Sequence, residues 1–234
     1  MHLPMAVQFP DPESADEQGL LAVGGNLEPE TLLKAYKSGI FPWYAEGQPI
    51  FWWSPDPRMI LYPGEFRISH SLKQTLHKPD LHCTFDTSFP EVIRWCSKIE
   101  REGQEGTWLT PEMIKAYTLL HKMGYAHSVE TWFDGKLAGG LYGIAIGRVF
   151  FGESMFHLVR DASKVALYYL VQFLKINHFE LIDVQQSTAH LRHLGAIEIS
   201  RSDFLEQIKK ACAKKGVLGK WHTETEPRSS TTDT

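Results

Sequence analysis

The chain has 234 residues, 43% of them hydrophobic, enough for one full core with room for a small second lobe. Its net charge of -4 lacks the excess of Lys and Arg that usually announces a phosphate-binding protein. No stretch approaches the roughly 20 uninterrupted apolar residues of a membrane helix, and Cys83, Cys96 and Cys212 are widely spaced with no C-x-x-C pair; a cytoplasmic protein with no membrane association, disulfide framework or metal site is expected.

Taken in chain order, the first clear element is a short amphipathic helix, with Pro29 in its first turn, Leu32, Leu33 and Tyr36 on one face, and Gly39 as its stop. Pro55 and Pro57 then hold Trp52-Trp53-Ser54-Pro55-Asp56-Pro57-Arg58 extended, as a rigid connection and a candidate domain boundary. A second helix is marked by Thr110 as N-cap, Pro111, a face of Met113, Ile114, Tyr117 and Leu120, and Gly124. From His127 the period becomes that of strands. Residues 127–132, 136–146 and 149–151 form an antiparallel meander through turns at Asp134-Gly135 and Gly147-Arg148. Asp161 is a candidate cap for the next helix, whose face holds Val165, Leu170, Phe173 and Leu174. A strand at Leu181 to Val184, a helix ending at Gly195, a strand at Ile197 to Ile199 and a helix from Ser202 to about Lys215 follow. The tail from Thr223 to Thr234 has nothing to bury and is expected to be disordered. The order is that of an α+β sheet of the N-acetyltransferase type.

Strand alternation sends Asp183 and Gln185 to one face and Ile182 and Val184 to the other. A carboxylate among apolar neighbours costs several kcal/mol, on the order of the 2 to 7 for a lone polar group, unless a cation or donor meets it. Gln185 can orient an amine or carbonyl but cannot act as a general base. Glu153 follows Val149 to Phe151 and is read as sitting where that strand leaves the sheet. Ser154 lacks the G-x-S-x-G setting of a nucleophile and any recognisable His-acid pair. His190 and His193 share a helical face without further ligands, so surface or packing roles are preferred. Trp43, Trp52, Trp53 and Trp108 lie beside Gly or Pro, where aromatic side chains build pocket walls or pack between lobes. Lys209, Lys210, Lys214, Lys215 and Lys220 form the one acid-free basic run, while acids gather in residues 11–30 and 100–112.

Leu20 to Leu27, Gly39-Ile40-Phe41-Pro42-Trp43, Trp52 to Arg58, Gly106-Thr107-Trp108, Gly152-Glu153-Ser154-Met155-Phe156 and Leu181 to Gln185 occur in this succession. Together they resemble the leucyl/phenylalanyl-tRNA-protein transferase family over about residues 20–202. The resemblance implies a small N-terminal lobe, placed here at residues 1–62, and a catalytic N-acetyltransferase-like domain at residues 63–222. It implies transfer of Leu or Phe, and less often Met, from aminoacyl-tRNA to the α-amine of proteins beginning with Arg or Lys, marking them for bacterial N-end degradation, with no cofactor. By position it places Tyr36, Trp43, Trp108, Tyr117, Leu141, Phe150 and Ser154 around the substrate, and Asp183, Gln185 and Glu153 at the chemistry. Leu141 departs from the Met expected there, a swap of similar apolar volume.

An aminoacyl ester is already activated, so direct attack by a neutral α-amine needs no enzyme nucleophile. The expected roles are Gln185 orienting the amine or ester carbonyl, Asp183 hydrogen-bonding Gln185 or attracting the cationic acceptor, and Glu153 holding the donor's α-amino group. Contacts with tRNA are expected to be phosphate-directed, through Arg58 and the five lysines. Two alternatives are a coenzyme A-dependent N-acetyltransferase, whose [QR]-x-x-G-x-[GA] pyrophosphate loop is missing here, and a non-catalytic tRNA-binding protein.

Overall fold

Two sheets of different size organise the chain. The computed structural model describes residues 7–98 and 109–222, with the backbone of His2–Leu3; Trp108 and the tail from Thr223 lie outside the described residues. The smaller sheet has the order β1-β2-β4-β3, built from β1 (His2–Leu3), β2 (Leu20–Gly24), β3 (Phe41–Pro42) and β4 (Phe51–Trp53). Helix α1 (Pro29–Lys37) lies between β2 and β3 in the chain and buries Thr31, Leu32, Ala35 and Tyr36, close to the face read from its periodicity.

The larger sheet begins with β5 (Arg58–Leu61). Next come α2 (His70–Leu76), β6 (Leu81–Phe85) and α3 (Phe89–Lys98), in a stretch where the sequence pattern signals no element. The remaining elements are α4 (Pro111–Lys122), β7 (Ala126–Phe133), β8 (Lys136–Ile146), β9 (Val149–His157), α5 (Ala162–Ile176), β10 (Leu181–Gln185), α6 (Ala189–His193), β11 (Ile197–Ile199) and α7 (Arg201–Cys212). Their strand order is β11-β5-β10-β9-β8-β7-β6. The fold is the expected mixed α+β type; in this larger sheet every pair is antiparallel except β9 with β10. That one parallel pair is bridged by α5, since parallel neighbours need a crossover.

Capping follows the sequence in one case and departs from it in another. Thr110 accepts from Met113 N at 3.3 Å, as an N-cap should, an interaction worth about 1 kcal/mol. Asp161 occupies the cap position of α5 but makes no capping bond, because its backbone is left-handed (φ 65°) and its carboxylate turns to Lys164 at 2.7 Å. No helix among the described residues is long and apolar enough to cross a membrane.

The large sheet is buried on both faces. On one, α1, α3, α4 and α7 bring Tyr36, Phe89, Tyr117 and Phe204 against Phe151 and Tyr142. On the other, α5 and Trp221 cover Val129, Phe150 and Ile182. Trp221 stacks on His127 at 3.7 Å, and its backbone N–H donates to Asp86, which also accepts from Ser128 N and contacts His127 Nδ1 at 2.8 Å. Nothing in the sequence pattern announces this buried His-acid pair. It closes the core beneath the C-terminal segment and is not part of the cavity described next.

The candidate active-site cavity

Strands β9 and β10 pair in parallel register from Leu181 opposite Val149 only as far as Asp183 opposite Phe151. Beyond that point both strands are irregular. On β9 the pairing with β8 jumps from Tyr142 opposite Ser154 to Gly143 opposite Gly152, leaving Glu153 as the extra residue of a bulge. On β10 the pairing with β5 shifts between Asp183 and Gln185, and Gln185 takes a left-handed φ of 63°. Bulges re-aim side chains and end pairing, and here two of them on adjacent strands part the sheet. Gly143 is needed for this approach, since a Cβ there would stand 2.5 Å from the Phe150 ring.

A cavity of about 370 Å³ fills the gap. Its walls come from β3 and the residue after it (Phe41, Pro42, Trp43), β8 (Leu141, Tyr142), β9 (Phe150 and Gly152 to Met155), α5 (Leu167, Leu170), and the end of β10 with the turn and helix that follow (Ile182, Val184, Gln185, Gln186, Thr188, His190, Leu191). Of the side chains expected around the substrate, Trp43, Leu141, Phe150 and Ser154 line it, and so do Glu153 and Gln185.

Three expectations need correction. Glu153 does not stand at a strand end, because β9 continues to His157; the bulge, not the terminus, presents it. Asp183 and Gln185 do not project side by side, because the left-handed turn at Gln185 breaks the alternation, so Gln185 reaches the cavity and Asp183 does not. Arg58 is not part of a surface patch. It is 1% exposed and grips Asp183 through Nε at 2.8 Å and Nη2 at 2.7 Å, with its guanidinium between the rings of Phe41 and Phe204 at 4.8 and 4.6 Å. This is the cation that a buried mid-strand carboxylate demands. Asp183 Oδ1 also accepts from the Gln185 backbone N–H at 2.9 Å, which fixes the strained turn.

Behind the cavity wall lies a polar cluster. Gln185 Nε2 donates to Glu153 Oε1 at 2.9 Å. Tyr36 Oη donates to the same oxygen at 2.8 Å, and Tyr117 Oη donates to Oε2 at 2.9 Å. The two phenol oxygens lie 2.7 Å apart. Both tyrosines are fully buried, so they meet a substrate only through Glu153. Burial pushes the Glu153 carboxyl up to about 7, against the opposing pull of its three donors, and the nearby Asp183 charge adds to the rise. Burial, with the Glu153 carboxylate alongside, raises both phenols well above their usual range.

Lys209, Lys210, Lys214, Lys215 and Lys220 are all exposed, but Lys210 pairs with Glu206 at 2.5 Å and Lys214 with Glu180 at 2.6 Å. The end of α7 packs on the β8–β9 turn, where Arg148 N donates to Ala211 O, so these lysines lie toward the opposite end of β9 from Met155. The cavity residues that sequence reasoning does not single out are mainly Phe41, Tyr142, Met155, Leu167, Gln186, Thr188 and Leu191. Phe41 and Met155 lie inside the strings that carry the resemblance; residues 186–191 lie in none of them, and His190, read as a surface or packing residue, lines the cavity.

The model of the leucyl/phenylalanyl-tRNA protein transferase family matches residues 60–209, and that of the family's N-terminal domain matches residues 25–56. A leucyl/phenylalanyl-tRNA-protein transferase of Thermodesulfovibrio yellowstonii is 54% identical over 223 residues, covering 95% of this chain and 91% of its own. The enzymes of the same name from Desulfatibacillum aliphaticivorans and Legionella pneumophila (strain Corby) are each 53% identical, covering 94% and 91% of this chain and 95% of their own. Among solved structures, a GCN5-related N-acetyltransferase from Kribbella flavida is similar over 76% of this chain and 63% of that one, at 11% identity and a TM-score of 0.40.

Proposed function

Because the chain belongs to the leucyl/phenylalanyl-tRNA-protein transferase family and is an aminoacyltransferase acting from aminoacyl-tRNA onto proteins, we propose that the cavity between β9 and β10 is where the transfer occurs. The observation that carries this reading is the Gln185 amide held against Glu153 at 2.9 Å on the wall of a mainly apolar cavity. Its volume of about 370 Å³ falls at the small end of the roughly 300 to 1,000 Å³ typical of ligand pockets, suited to one esterified side chain. Trp43, Leu141, Phe150 and Met155 offer an apolar seat to leucine, phenylalanine or methionine, and penalise a polar side chain by leaving its groups unpaired. Trp108, which the resemblance implies beside the substrate, lies outside the described residues.

Gln185 orients the incoming amine or the ester carbonyl, and Ser154 lines the same space. Asp183 acts through Gln185. Its charge is already matched by Arg58, so its contribution is to hold the Gln185 backbone, making it a positioning residue and not an attractor of the acceptor. Alignment of two reactants in this way is worth roughly 7 to 11 kcal/mol in well-ordered systems. No covalent enzyme intermediate is needed, since the ester is already activated.

The acceptor is a protein beginning with Arg or Lys, and the product enters bacterial N-end degradation in the cytoplasm. This part rests on the resemblance, helped by Glu153, the carboxylate that faces the cavity. The exposed lysines near the end of α7 contact tRNA phosphates. Incubation with radiolabelled leucyl-tRNA and two peptides differing only in an initial Arg or Ala tests the reading: label enters the Arg peptide alone, and equal labelling of both, or of neither, removes it.

A further inference from the structure

Among Glu153, Tyr36 and Tyr117 there are three close oxygen pairs, at 2.7, 2.8 and 2.9 Å. Each such pair requires one hydrogen between its oxygens. With Glu153 ionised, the two phenols supply only two, and one pair is left as lone pair against lone pair. One more hydrogen, on the carboxyl, closes the ring in a single direction: Oε1–H to Tyr36, Tyr36 to Tyr117, Tyr117 to Oε2. The cluster is one proton short of completion. It also opens to the cavity through Glu153, whose Oε2 accepts, among the described residues, from Tyr117 and keeps a second lone pair.

Resting on the aminoacyl-transfer reading, we propose that Glu153 is the proton acceptor of the reaction, with Tyr36 and Tyr117 as positioning residues that complete a hydrogen-bonded ring once the proton has arrived. Asp183 is unsuited to this task, being fully buried, off the cavity and paired with Arg58. The acceptor enters as an α-ammonium and gives one proton to the Glu153 carboxylate, which frees its lone pair. Its nitrogen bonds the ester carbonyl carbon, the carbon–oxygen bond to the ribose breaks, and a second N–H proton leaves on the ribose oxygen as a hydroxyl. One ammonium, one ester and one carboxylate become an amide, an alcohol and a neutral carboxyl, so charge and atoms balance. Gln185, bonded to Oε1, holds the amine beside the carboxylate.

The ionisable groups acting on Glu153 are Tyr36 from α1, Tyr117 from α4 and Asp183 from β10, the last matched by Arg58 of β5, while Tyr142 from β8 and His190 from α6 line the same cavity. Burial places the carboxyl at about 7, where it can both take a proton from an ammonium and return it to solvent.

The test is single-turnover transfer from radiolabelled leucyl-tRNA to an Arg-initiated peptide as a function of pH, in wild type and in Tyr117→Phe. Tyr117→Phe loses a bond to the ionised carboxylate that is worth more than the neutral bond it loses from the closed ring, so the acid limb of the rate moves upward by about one pH unit. The peptide is the same in both proteins, so its own titration cancels. Glu153→Gln keeps the carboxyl's shape and slows transfer at least about 100-fold, leaving a profile set by the peptide amine alone. Infrared difference spectra of unliganded wild type and Tyr117→Phe give an independent reading, through the midpoint at which a protonated-carboxyl C=O band appears. Superimposed acid limbs, unmoved band midpoints, or wild-type rates in Glu153→Gln each overturn the proposal while transfer itself stands. A wild type that labels no peptide removes the transfer reading and this one together.

Discussion

Two buried carboxylates sit on neighbouring strands and do opposite things. Asp183 meets a guanidinium in two parallel hydrogen bonds and is sealed from the cavity. Glu153 meets only neutral donors, two phenols and an amide, and touches the cavity. A full counter-charge fixes a carboxylate as structure; neutral donors leave it free to gain and lose a proton. Side-chain type alone therefore says little about role. What distinguishes these two acids is whether a formal cation or a set of uncharged donors compensates their burial.

The largest effect expected from breaking this contrast is on folding. Asp183→Ala strands the Arg58 charge in the core and lowers stability by about 3 to 5 kcal/mol, measured by urea unfolding. The double change Arg58→Met with Asp183→Leu recovers most of that loss, and a double variant as unstable as the single one breaks the contrast. The pH dependence of stability comes next. Glu153 titrates at about 7 in the fold against an ordinary 4.5. The folded state thus holds the proton more tightly, so this contribution is full below about pH 4.5 and fades as pH rises through about 7. At about pH 8 Glu153→Gln is then more stable than wild type by up to on the order of 3 kcal/mol, with the advantage gone in acid; parallel stability curves would place Glu153 with Asp183 as pure structure. Leu141→Met is a smaller change. It shifts the ratio of phenylalanine to leucine transfer by less than about tenfold, since a volume-conserving apolar swap usually costs under about 1.5 kcal/mol. Smallest is neutralisation of Lys209, Lys215 and Lys220, which lowers the slope of log affinity for tRNA against log salt by about 1 for each phosphate left without a cation. An unchanged slope removes these lysines from the interface.

Much of the α+β order is legible in the sequence, because Gly, Pro and capping residues punctuate it from Pro29 to Gly39 and from Thr110 onward. The elements between Arg58 and Thr110 are not. Strand β6 pairs only with β7, and its burial depends on α2 and α5 from elsewhere in the chain. At the site, family resemblance picks out Tyr36, Trp43, Tyr117, Leu141, Phe150, Glu153, Ser154 and Gln185, and strand alternation picks out Asp183 and Gln185 as well. Alternation misplaces that pair, since nothing in Val184-Gln185-Gln186 announces a left-handed residue, a conformation more usual for Gly or Asn. Arg58 misleads for a related reason. Its partner lies 125 residues away, and a lone arginine in a sequence looks the same whether it faces phosphate or carboxylate.

The guanidinium held between Phe41 and Phe204 ties a ring of the small sheet to the last helix and, through Asp183, to the large sheet. Phe41 is also a cavity wall, so the width of the cavity proposed to take the donor side chain is tied to one clamped cation and behaves as a fixed gauge. Admitting a bulkier amino acid is therefore a matter of trimming lining side chains such as Leu141 or Leu167, because breaking one half of the clamp costs about 3 to 5 kcal/mol of stability.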